Sequence, residues 1–158
     1  MRFDEFRPGQ LLRYGPVTLS ESEIIAFARE YDPQWFHTDV ERANAGRWNG
    51  LIASGWHTCC IAMRLAVTGA LQDSESFGSP GLEYLKWLEP VRPGDALTLC
   101  AEVLDVRRSE RQPTLGILRW RWRLRNQKDV DVLELVATSL FDLAEEGRAA
   151  ASLGASGA

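Results

Sequence analysis

From Ser20 to Asp32 the chain reads SESEIIAFAREYD, with Ile24, Phe27, Ala28 and Tyr31 at the i, i+3, i+4, i+7 spacing of one apolar helix face. Ser20 followed by Glu23 is a capping-box pattern and marks the start of that helix. Pro33 disfavours helical geometry at Asp32, so the helix is expected to end there. His37 then falls in a loop or short turn, ahead of a brief helical piece in DVERANA. Further on, Trp56 to Leu71 contains Arg64 as its one charged residue, and apolar or small side chains cover every face. Such a segment predicts a helix buried all round. Ser54 and Gly55 stand at its start, and serine is a favoured N-cap.

The period changes after a polar stretch, DSESFGSPG, that reads as a loop. LEYLKWL alternates in part, and EPVRPGD is a break with two prolines and a glycine. ALTLCAEVLDV, TLGILRWRWRLR and VDVLELVATSLFDL read as long strands, with NQKD as the turn between the last two. In the second of them Trp120, Trp122 and Leu124 alternate with Arg119, Arg121, Arg123 and Arg125. Helices followed by a run of antiparallel strands imply an α+β fold, with the sheet curved around the long apolar helix. A sheet of that kind leaves edges to cover, so a homodimer or larger homo-oligomer is expected. Residues 1–143 read as a single domain and 144–158, small and polar, as a flexible tail.

Composition narrows the function classes. Hydrophobic residues make up 45% of the 158-residue chain and charged residues 25%, the balance of a globular domain. A net charge of −4 lacks the basic footprint of a nucleic-acid binder. The three cysteines, Cys59, Cys60 and Cys100, fit neither a zinc spacing nor a disulfide framework, and read as free thiols of a cytoplasmic protein. The N-terminal stretch has no apolar core of signal-peptide length, and no uncharged apolar run reaches the roughly 18 residues of a membrane span.

Candidate chemistry is sparse. The chain has no GxxxxGK[ST] or GxGxxG phosphate cradle, and Ile52 and Trp56 occupy the glycine positions of a GxSxG elbow around Ser54. Two histidines, His37 and His57, twenty residues apart without HExxH, make no metal site. His57, one turn inside the apolar helix, reads as a hydrogen-bonded core histidine, and the arginine stripe as the solvated face of a half-buried strand. The remaining pair is Asp32 and His37 in EYDPQWFHTD. A histidine beside a carboxylate can take and return a proton if both converge on one water or substrate. An acidic turn followed by a surface histidine would carry the same spacing.

Three stretches in order resemble the MaoC-like dehydratase family, which includes the (R)-specific enoyl-CoA hydratases and has the hotdog fold. YDPQWFHTD fits its D-x4-H motif, GLIASGWHT resembles the small-residue entry to its central helix, and SPGLEYLKWLEPVRPGDALTLCAEVLDVR resembles its strand, PV-x-x-GD turn and strand. The resemblance covers about Phe3 to Leu143 and implies a hotdog fold, a curved antiparallel sheet wrapped around a central helix. It implies Asp32 and His37 as a catalytic dyad and the Gly55 N–H as an oxyanion-hole donor. The activity it implies is addition or removal of water at the 2,3 position of an acyl thioester, enoyl-CoA or 3-hydroxyacyl-CoA, with no metal or redox cofactor.

The loop departs from the family pattern, since Tyr31, Gln34 and Trp35 stand where a glycine, an asparagine and a proline are usual. Trp35, Ser54 and Trp56 are therefore candidates for the substrate pocket, with Trp35 placed to narrow or cover it. Two other functions fit the same fold: an acyl-CoA thioesterase, and a non-catalytic subunit that binds acyl thioesters. The first usually needs a carboxylate on or beside the central helix, and Trp56 to Leu71 holds none.

Overall fold

A computed structural model of the chain describes residues 1–144, so the expected tail lies, except for Ala144, outside the described residues. A short 3-10 turn at Phe3–Glu5 precedes strand β1 (Leu11–Thr18). Helices α1 (Glu21–Tyr31), α2 (Trp35–Thr38), α3 (Val40–Asn44) and α4 (Gly55–Ala66) follow. Strands β2 (Ser76–Trp87), β3 (Ala96–Arg108), β4 (Leu115–Arg125) and β5 (Asp131–Asp142) complete the order. All pair antiparallel in one sheet, β1-β3-β4-β5-β2.

Helix α1 starts as its sequence requires. Ser20 accepts from the Glu23 N–H while the Glu23 carboxylate accepts from the Ser20 N–H, so two otherwise orphaned donors are paired. Along β4, Leu118, Trp120, Trp122 and Leu124 point inward and are buried. Trp120 is fully enclosed, meets Phe6 edge-on at 5.9 Å between ring centroids, and donates its indole N–H to Ser139 Oγ at 3.2 Å. Ile61, Ala62, Leu65 and Ala66 on one face of α4 join these rings in a single core. The outward arginines of β4 form ion pairs: Arg119 with Glu83, Arg121 with Glu102, Arg123 with Glu134 and Arg125 with Asp131.

The sheet differs from expectation at its edges. β1, unforeseen in the sequence, is interrupted by Gly15 and Pro16, residues that an edge strand tolerates and a central strand does not. Ser76 to Gly81, expected as loop, belongs to β2. That strand lies on the other edge, is mostly exposed, and makes three register shifts against β5, so it needs no apolar alternation.

The central helix spans the expected stretch, its last turn in a different form, and is not buried all round. α4 ends at Ala66 and Val67–Leu71 continues as a wider π-helical turn. Thr68 Oγ1 donates to the Arg64 carbonyl at 2.9 Å, competing for an acceptor that a regular turn would use. The core covers one face only, leaving Trp56, Met63 and Val67 exposed. No helix among the described residues is long and apolar enough to cross a membrane.

Candidate active site

Asp32 is the C-cap of α1, its N–H donating to the Ala28 carbonyl, and Pro33 turns the chain away. A tight turn closed by the Gln34 N–H on the Asp32 carbonyl at 2.7 Å leads into α2, which carries His37. Residues 51–54 then run buried between two neighbours. The Ile52 N–H donates to the Phe36 carbonyl and the Ala53 N–H to the Val91 carbonyl. This segment delivers Ser54 and Gly55 to the start of α4, beside the C-terminus of α1.

Asp32 and His37 therefore meet. His37 Nε2 lies 3.4 Å from Asp32 Oδ2, with the histidine side chain buried and the carboxylate mostly so. On the far side of the ring, Nδ1 is 2.7 Å from the Ile52 carbonyl. A carbonyl only accepts, so Nδ1 carries a proton and Nε2 is the ring nitrogen turned toward Asp32. Ser54 Oγ donates to Asp32 Oδ2 at 2.7 Å, and Gln34 Nε2 donates to Oδ1 at 2.8 Å. Burial alone would raise the Asp32 carboxyl, but those two hydrogen bonds and the neighbouring His37 outweigh it and hold the group below its ordinary value. The carboxylate stays ionised, with His37 Nε2 beside its Oδ2.

One cavity of about 460 Å³ borders Asp32, His37 and Gly55 together. The Gly55 N–H, in the first turn of α4, has no acceptor among the described residues. It offers an incoming oxygen a hydrogen bond and the positive end of the helix dipole. The indole of Trp87 lies against this glycine: its Nε1–H donates to the Gly55 carbonyl at 2.9 Å, and a Cβ at residue 55 would sit 2.5 Å from Trp87 Cε2. Any larger residue there would displace the Trp87 ring. Among the described residues no group of three or more His, Cys, Asp or Glu side chains is placed to hold a metal ion.

The other candidates divide. Trp56 lines the cavity. Ser54, fully buried, stands behind Asp32 as its hydrogen-bond donor and not in the cavity wall. Trp35 does not line the cavity either, because its ring packs on Gly46 and lies 4.7 Å beneath the Arg42 guanidinium. Its place on a four-residue helix turns it away from the side that His37 faces. His57 is not the hydrogen-bonded core residue expected: it stacks on Phe27 at 4.4 Å, and its buried Nδ1 has no partner. Trp87 and Trp48 border the cavity without having been singled out in the sequence; Gln34, which also borders it, was marked there only as a departure from the family pattern. For Trp87 the signal was faint, a tryptophan at the end of a half-alternating strand next to a Pro-rich break.

The model of the MaoC-like domain matches residues 5–118. The chain belongs to the MaoC-like dehydratase family. A Bacillus subtilis (strain 168) relative, the uncharacterized protein YdeM, is 36% identical over 134 residues, spanning 85% of this chain and 94% of its own. The crystal structure of a MaoC-like dehydratase from Rhodospirillum rubrum superposes with a TM-score of 0.81 at 34% identity, covering 88% of this chain and 94% of that one. An (R)-hydratase from A. caviae involved in PHA biosynthesis matches with a TM-score of 0.68 at 22% identity, covering 85% of this chain and 96% of its own. That last likeness concerns the fold: the MaoC family member described here has the hotdog architecture, an antiparallel sheet with helices packed on it.

Proposed function

We propose that this MaoC-like protein catalyses reversible syn addition of water across the 2,3 double bond of an enoyl thioester, in the manner of an (R)-specific enoyl-CoA hydratase. The observation that carries the reading is that Asp32, His37 and Gly55 border one cavity, with His37 Nε2 beside the Asp32 carboxylate. In the hydration direction a water is held by Asp32 and His37 from the cavity side. Its oxygen bonds to C3 as the dyad takes one of its protons, and the π pair of the alkene forms a new C2–H bond with a proton returned by the dyad. Electron density moves transiently onto the thioester oxygen, which the Gly55 N–H receives. A donor aimed at such an oxygen is commonly worth about 3 kcal/mol in the transition state. Dehydration of the 3-hydroxyacyl thioester is the same path reversed.

The family supports the class of reaction: its model matches residues 5–118, and the Rhodospirillum rubrum relative is a MaoC-like dehydratase. Crotonyl-CoA hydration, followed as loss of enoyl absorbance with free thiol measured in parallel, is the direct test. Loss of absorbance without thiol release is expected. Thiol release would indicate a thioesterase, and acyl-CoA binding without either change would indicate a non-catalytic subunit. We also propose that the protein works as a homodimer, with the exposed edge of β2 as the surface for a second copy, which light scattering on the purified protein would check.

A further inference from the structure

We infer that Trp87 sets the size of the acyl group this site accepts, by closing the cavity beside the oxyanion donor; the inference rests on the acyl-thioester reading above. Trp87 is the last residue of β2, and its backbone is held by pairing with Leu133 of β5. Its indole, half exposed, makes two contacts at the cavity edge. Nε1–H is committed to the Gly55 carbonyl, and Trp56 meets the ring edge-on at 5.5 Å.

The bond to Gly55 has two consequences. It removes the single polar hydrogen of the ring, so the indole shows only carbon and π surface to whatever enters. It also presses the ring onto the Gly55 α-carbon, next to the N–H that would receive the thioester oxygen. A ligand carbonyl docked on that N–H must direct its neighbouring groups past the indole. The phosphopantetheine arm of a carrier carries amides and seeks hydrogen-bond partners, which this wall does not offer. An alkyl chain suits it. Nearby, Ile52, Leu88, Pro90 and Val91 line the same cavity and continue the apolar surface. Trp87 is thus a specificity-determining wall for the acyl chain, and Trp56 keeps it upright.

The test pairs binding with turnover, so the wall can be judged independently of the chemistry. Saturated acyl-CoAs (butyryl, hexanoyl, octanoyl, decanoyl) are titrated by calorimetry against the wild type, Trp87→Ala and Trp87→Phe. The matching 2-enoyl-CoAs are then assayed for kcat/KM. Trp87→Ala is expected to raise the ratio of long-chain to short-chain affinity by about tenfold or more, since single methylenes in an apolar pocket discriminate by that order. Trp87→Phe, which keeps a smaller ring and guards against a misfolded alanine variant, should fall between. A shifted binding ladder supports the inference even if no thioester is hydrated, in which case the hydratase reading fails alone. An unchanged ladder in both variants, an affinity change equal for every chain length, or no acyl-CoA binding by the wild type overturns it.

Discussion

Two groups of charged side chains occupy opposite sides of this molecule, and they differ in what surrounds them. In the cavity, the Asp32 and His37 side chains are 18% and 5% exposed. On the outer face of β4, Arg119 and its partner Glu83 are 42% and 45% exposed. Asp32 is held by two donors from its own neighbourhood, and His37 by a carbonyl that fixes its tautomer. The arginines sit in a ladder where water can replace any one partner. Two pairs of titratable side chains thus differ in surroundings: shielding and second partners fit the first for the proposed proton transfer, while solvent makes the second a soluble coat for a strand.

The comparison is broken most directly at the dyad. Asp32→Asn and His37→Ala should each lower kcat/KM for crotonyl-CoA by about 10²–10⁴-fold, the usual worth of positioned acid/base groups. Circular dichroism should show the fold retained. If either variant hydrates as fast as the wild type, the assignment of chemistry to the cavity is wrong.

The second effect lies beneath the arginine ladder. Trp120 is the inward neighbour of Arg119 and Arg121, and its ring is completely enclosed. Trp120→Ala should cost about 3–5 kcal/mol in urea unfolding, as for other large aromatic truncations. The strength of that face thus comes from its apolar side. An unfolding midpoint close to wild type would mean that the outer charges stabilise the strand more than their exposure suggests.

A smaller change should separate the dyad from its supports. Ser54→Ala removes a charge-assisted hydrogen bond to Asp32, an interaction worth about 1.5–3 kcal/mol. Because that bond lowers the carboxyl, its loss moves the Asp32 value up. Asp32 acts in its ionised form, so the acid limb of the kcat/KM profile should shift to higher pH. The sign for stability agrees: a depressed carboxyl stabilises above its unfolded value, near 3.8, and loses that contribution as pH falls through the folded one. Ser54→Ala should therefore lose stability near neutrality and respond less to acid below about pH 4. An unmoved acid limb would show that Asp32 is not the titrating group.

The same contrast explains which features were legible in the chain. α1 was, because its capping box and its terminating Pro33 act within a few residues of the backbone they order. β4 was, because a central strand with one dry face must alternate. The edge strands were not: β1 carries Pro16 and β2 is exposed along most of its length, so neither is forced into a pattern. At the site, Asp32 and His37 were found through a motif, but their supports came from afar. Ser54 reaches Asp32 across 22 residues and Trp87 reaches Gly55 across 32, and no local periodicity encodes either contact. Trp35 was misplaced for the complementary reason, since spacing within a four-residue helix does not tell which way a ring turns.

The smallest effect belongs to Glu83. Its carboxylate takes two hydrogen bonds from the Arg119 guanidinium, the fork geometry that favours such pairs. That contact lowers the Glu83 carboxyl, so any stabilisation it gives exists above the ordinary value of 4.5 and fades on acidification. Both groups are open to solvent, however, and exposed pairs are weakened by side-chain entropy and salt. Glu83→Gln keeps the shape and removes the charge; it should leave both Tm and crotonyl-CoA turnover within experimental error at neutral pH. A clear fall in Tm that added salt abolishes would place the ladder among the forces holding β2 to the sheet. A fall in turnover at unchanged Tm would go further, because β2 ends at Trp87: the outer charges would then reach the cavity through the strand that carries its wall.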